Sequence, residues 1–122
     1  MGYTSFGEYV RILRIKNHQV MGDMAKQLGT STPFLSAVEN GKKNVPAEWV
    51  QKIVRLYGLN EEETKDLTKA VEESKLQYKI ILGNAGVNQR RAAIQFARSF
   101  EEMDDETALK IMAILEKKEE LN

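Results

Sequence analysis

At 122 residues the chain has room for one domain, or for a small domain with an appendage. Apolar residues make up 42% and charged residues 30%, and there is no cysteine, which excludes a disulfide framework, a thiolate zinc site and a cysteine nucleophile. Net charge is zero but unevenly spread: residues 1–58 hold eight bases and four acids (+4), and residues 59–122 hold ten bases and fourteen acids (−4).

The opening MGYTSFGEYV has no apolar core of signal-peptide length, and no run approaches the ~20 apolar residues of a membrane span. A cytoplasmic protein with no membrane contact is expected. The basic half points to an acidic polymer as one partner.

In chain order, residues 4–16 place Phe6, Tyr9, Val10 and Leu13 at helical spacing, with Thr4 or Ser5 as cap and Ile12 nearby. Residues 20–28 put Val20, Met24, Ala25 and Leu28 on one face, and Gly29 fits the stop. Ser31 or Thr32 opens a third helix with Pro33 in its first turn; Leu35 and Val38 form its inner seam, and Asn40-Gly41 ends it. Pro46 starts a fourth helix, with Trp49, Val50, Ile53, Val54 and Leu56 or Tyr57 inward and Gly58 closing it. Asn60 caps a fifth, partly exposed helix whose first turn carries Glu61, Glu62 and Glu63, where the helix dipole favours anions.

After residue 75 the texture changes. LQYKIIL reads as one short strand or an extended connector, bounded by Gly83 and Gly86. Asn88 then caps a helix to Met103, and Asp104 or Asp105 caps another to Glu120. The turn between them is very short, so an antiparallel hairpin is expected. Its apolar stripes include Phe96, Phe100, Met112 and Leu115. A 35-residue hairpin has little to bury against alone, so these four are expected to carry dimerisation. The division expected is 1–75 for a helix-turn-helix domain with its fifth helix and 76–122 for a helical arm.

One constellation carries function. Ala25 is followed at +4 by Gly29, at +10 by Leu35 and at +13 by Val38. A helix-turn-helix needs this: a small residue where two helices cross, a glycine at the turn, and apolar residues clamping the second helix on the first. The second helix then projects its N-terminal end into a DNA major groove.

Residues 4–58 resemble the helix-turn-helix domain of Cro and phage-repressor type regulators, the Xre-like group. The resemblance rests on MAKQLGTSTPFLSAVENGKKNVP, above all Glu39-Asn40-Gly41-Lys42-Lys43 before Pro46. It implies a mainly α, five-helix lambda-repressor-like domain that binds double-stranded operator DNA, commonly as a homodimer. By that resemblance the DNA-binding positions are Ser31, Thr32, Pro33, Phe34, Ser36 and Ala37 on the recognition helix, then Asn40, Lys42 and Lys43. Lys42, Lys43, the backbone N–H groups after Asn40 and the free N–H groups at the helix start are the expected phosphate ligands. The sequence departs from the family at Met21, where glutamine is usual. It also has no long polar side chain on the base-reading face.

Glu39 is expected to serve the fold by pairing with Arg11 or Arg14, and Trp49 to lie in the core. Lone His18 has no metal-ligand partners. No cofactor, metal or catalytic set is expected, so the chain is read as a regulator and not an enzyme. The alternative is an antitoxin-like or adaptor protein whose C-terminal arm binds a partner protein.

Overall fold

The computed structural model describes residues 2–121. Two compact units divide it, Met1–Tyr78 and Lys79–Asn122. The first contains α1 (Ser5–Lys16), α2 (Met21–Leu28), α3 (Thr32–Glu39), α4 (Trp49–Tyr57) and α5 (Glu61–Glu73). The second contains α6 (Val87–Ser99), a 3-10 turn (Phe100–Glu102) and α7 (Asp105–Leu121). Among the described residues there is no strand, so the protein is mainly α with an N-terminal helix-turn-helix.

Local chemistry sets most of the helix ends in the first unit. Thr4 Oγ1 accepts the Gly7 N–H at 3.1 Å and caps α1. Val20 lies outside α2, its N–H bonded to the Asp23 carboxylate at 2.9 Å. That placement leaves its side chain 69% exposed, against the inward face expected for it. Asn60 and Glu63 cap α5 reciprocally, each side chain accepting the other's backbone N–H, at 2.8 and 3.0 Å. The fourth helix begins later than expected. Pro46–Glu48 form a turn in which the Trp49 N–H bonds back to the Pro46 carbonyl at 3.0 Å. At its other end Tyr57 packs against the core while Leu56 stays exposed.

All five helices feed one core. Phe6, Val10 and Leu13 of α1 meet Met24, Ala25 and Leu28 of α2, Leu35 and Val38 of α3, Trp49 and Ile53 of α4, and Leu67 of α5. Trp49 sits between Phe6 and Phe34, with ring centroids 6.3 and 5.9 Å away. The fifth helix has few apolar residues but is tied to α1 at both ends. The Tyr9 hydroxyl donates to the Glu63 carbonyl at 2.9 Å, and the Phe6 N–H donates to Ser74 Oγ at 3.0 Å.

The second unit is built otherwise. Residues 76–82, read from sequence as strand or connector, form neither helix nor strand. The α6 cap is Gly86, whose N–H bonds Gln89 Oε1 at 2.9 Å, so the helix starts ahead of Asn88. It ends at Ser99, and the 3-10 turn takes up the next three residues. Asp104 caps α7 by accepting the Thr107 N–H at 2.8 Å. Hydrogen bonding from Thr107, its side chain first and its backbone N–H second, holds the Asp104 carboxyl below the ordinary range. The two helices flank an open apolar groove of about 600 Å³.

Candidate nucleic-acid interface

The turn between α2 and α3 is made by backbone geometry. Gly29 takes a left-handed φ of 74°, which a side chain would oppose. This lets the Thr30 N–H reach the Ala25 carbonyl at 2.9 Å and closes the end of α2. Ala25, Leu35 and Val38 are buried at the helix crossing. Ser31 caps α3, accepting the Phe34 N–H at 3.2 Å. Thr32 is the first helical residue and Pro33 the second, where a missing N–H removes no helical bond.

The far end of α3 is anchored through Glu39, which is fully buried. Its carboxylate receives both terminal nitrogens of Arg14, at 2.7 and 3.0 Å. Of the two arginines expected as partners, Arg14 makes the pair; Arg11 lies over the Tyr3 ring, 4.9 Å from its centroid. The Glu39 carbonyl accepts from Thr4 twice, from N at 3.0 Å and Oγ1 at 3.1 Å. A buried ion pair loses water from both charges and needs good geometry in return; here the two parallel Arg14 bonds to the Glu39 carboxylate supply it, and Arg14 Nη1 also reaches Met24 Sδ at 3.4 Å. Gly7 completes the contact: a Cβ there would collide with the Glu39 carbonyl. The first helix therefore holds α3 at its C-terminal end.

What remains on the outside is the candidate DNA face. Ser31, Thr32 and Pro33 are exposed, and Phe34 is exposed at one edge while its ring meets Trp49 edge-on. Ser36 and Ala37 are half-buried. Asn40 turns its amide back, donating to the Ser36 backbone carbonyl at 2.9 Å and to the Ser36 hydroxyl oxygen at 3.4 Å. The only charged residue within α3 is the buried Glu39. Lys42 and Lys43 are exposed and take part in none of the salt bridges among the described residues.

Two expected phosphate donors are already used. The Gly41 and Lys42 N–H groups close α3, bonding the Val38 and Ala37 carbonyls at 3.1 and 2.9 Å. At the start of α3, the Phe34 and Leu35 N–H groups both bond Ser31, and Pro33 has none. Among the described residues Thr32 alone keeps an unpaired N–H in that first turn. What remains here for phosphate is the Lys42 and Lys43 side chains, the Thr32 N–H and hydroxyl, and the Lys43 N–H.

Sequence reasoning missed Gly7 and Thr4 as supports of the site. A lone glycine inside TSFGEYVRIL was the available signal, since such a residue costs a helix stability unless something packs against it. It also missed Lys52, whose Nζ donates to the Leu28 carbonyl at 3.3 Å and braces the end of α2.

In the second unit, Phe96 and Phe100 lie with ring centroids 5.8 Å apart. Phe96 and Leu115 line the groove; Phe100 and Met112 are exposed outside it. No group of three metal-ligating side chains gathers among the described residues, and no helix there is long and apolar enough to cross a membrane.

Neither the comparison with curated proteins nor that with solved structures finds a match. The family model described as "Helix-turn-helix domain" matches residues 5–67, from the first residue of α1 into α5 and over half the chain. The chain belongs to the helix-turn-helix domain family, whose fold is a DNA-binding one.

Proposed function

We propose that the protein is a transcriptional regulator of the Cro and phage-repressor type, binding a pseudo-palindromic operator as a dimer and acting as a repressor. The observation that carries this reading is the presentation of α3. It is pinned from behind by Glu39, its outer face holds no carboxylate, and two unpaired lysines stand at its exit. Two such helices on a dimer would enter successive major grooves about 34 Å apart. Ser31, Thr32, Pro33, Phe34, Ser36 and Ala37 would face the bases, with Lys42 and Lys43 on phosphate. Asn40 would act indirectly, by fixing Ser36. Since these side chains are short, DNA shape would supply part of the sequence preference.

The test is affinity selection of genomic duplexes at two salt concentrations. An enriched inverted repeat is expected; retention without enrichment would reduce the reading to phosphate binding. Lys42→Ala with Lys43→Ala should weaken binding to all duplexes alike. It should also flatten the slope of log affinity against log salt by about 2, one per lost phosphate contact. An unchanged slope removes both lysines from the interface.

A second reading is an antitoxin-like or adaptor protein with DNA binding as a secondary activity. The lack of any long amide or guanidinium on the exposed face of α3 favours it. Stoichiometric capture of one partner protein by the full chain, lost when residues 79–122 are removed, would establish it.

A further inference from the structure

The second unit has no interior of its own. None of its described side chains is buried, and ten large apolar ones are more than a third exposed. That surface is on the order of 1,000 Å², against the ~800 Å² per partner of a standard stable interface. Helices of 13 and 17 residues with no fully buried side chain among the described residues are marginal in water.

The apolar arc of α7 is too wide for one neighbour. Ile111 and Leu115 face the groove, while Leu109 and Met112 lie around the helix from them and stay exposed. On α6, Ala93 and Phe96 face the groove and Val87 and Ile94 do not. A helix apolar on two sides is a helix with two neighbours, as in a four-helix arrangement.

Charge selects the occupant. Helix α6 carries Arg90, Arg91 and Arg98 and no acid. Residues 101–106 carry Glu101, Glu102, Asp104, Asp105 and Glu106 and no base. Arg91 and Arg98 line a neighbouring hollow that shares Gln95 and Ser99 with the groove. Neither these arginines nor Glu101 and Glu102 form a salt bridge among the described residues. Both halves of a complementary surface are thus present on the same chain, and a two-fold axis would satisfy both at once.

We propose that the groove is completed by a second copy of this chain. The α6 and α7 helices of two copies form a four-helix arrangement, with the basic helix of each beside the acidic turn of the other, and the helices gain their stability as the copies pair. This rests on the dimeric reading above and assigns it a surface.

The experiment is a charge exchange in the full chain. Arg91→Glu with Arg98→Glu places acid against acid at both symmetric contacts; Glu101→Lys with Glu102→Lys places base against base. Each variant alone should dimerise about tenfold or more weakly, since juxtaposed like charges oppose association. An equimolar mixture should recover the parental affinity as a heterodimer, by sedimentation. Helix content should fall on dilution together with the dimer. Trp49, the only tryptophan and buried in the first unit, reports that unit's fold independently and should not change.

Three results would overturn the proposal: parental affinity in either variant alone, no recovery in the mixture, or full helix content in the monomer. A parental chain that stays monomeric at every concentration overturns the dimeric reading as well. Retention on DNA is read separately and is not touched by that outcome.

Discussion

Among the described residues all twelve buried apolar side chains lie in the unit Met1–Tyr78 and none in the second unit. Both units are helical and rich in leucine, isoleucine and phenylalanine. They differ in how those residues meet. In the first unit five short helices are tied by long-range polar contacts, among them Thr4 to Glu39, Arg14 to Glu39 and Phe6 to Ser74. In the second, the polar bonds outside the regular helices join residues at most eight apart in sequence, such as Arg90 to the Leu82 carbonyl. A unit closed by its own distant contacts can present a surface to a ligand. One that lacks them has its largest apolar surface still to cover.

The sharpest way to break this comparison is the buried pair in the first unit. Arg14→Met leaves the Glu39 carboxylate buried without its partner, which should cost about 3–5 kcal/mol of unfolding free energy. Adding Glu39→Leu should restore most of it, because the Thr4 bonds go to the Glu39 backbone. Chemical denaturation followed by Trp49 fluorescence measures both. A single mutant as stable as the parent would mean that the pair does not hold α3.

The next effect sets one truncation in each unit side by side. Leu67→Ala removes a fully buried side chain and should cost about 2–4 kcal/mol in the Trp49 transition. Ile111→Ala, at a half-buried position in the second unit, should move the same transition by less than about 0.5 kcal/mol. Equal losses would mean that the units unfold together.

The two units were also unequally legible in the sequence. The first was readable because each signal there is local and its partner is close. Gly29 stops α2, Ser31 caps α3, and the Ala25, Leu35 and Val38 spacing fixes how they cross. Beyond the Glu39 pairing, which was narrowed to two arginines, what could not be read were contacts whose ends lie far apart. Gly7 against Glu39 and Ser74 against Phe6 bring together residues that no window along the chain contains. The spent N–H groups of Gly41 and Lys42 were missed for another reason: the sequence shows that a turn follows Asn40, but not which carbonyls its N–H groups reach. In the second unit the apolar stripes were plain, yet LQYKIIL read equally as strand or connector. A strand needs a partner edge, and none of the described residues provides one.

The smallest effect concerns alkaline pH and again belongs to the first unit alone. Burial raises the Tyr9 hydroxyl above the ordinary tyrosine value of 10.0, and the carboxylates of Glu63 and Asp66 add to it. Burial raises Tyr57 too, opposed by Arg14 and helped by Asp23. A group raised in the folded state binds its proton more tightly there than in the unfolded chain. Its contribution is therefore complete below pH 10 and declines as pH rises through the folded pKa. The Trp49 transition should accordingly weaken above pH 10. Tyr9→Phe should cost about 1 kcal/mol at neutral pH, through the lost bond to the Glu63 carbonyl, and should make the alkaline decline shallower. An alkaline decline of the same steepness in Tyr9→Phe would show that the hydroxyl titrates alike in both states and is not held by that contact.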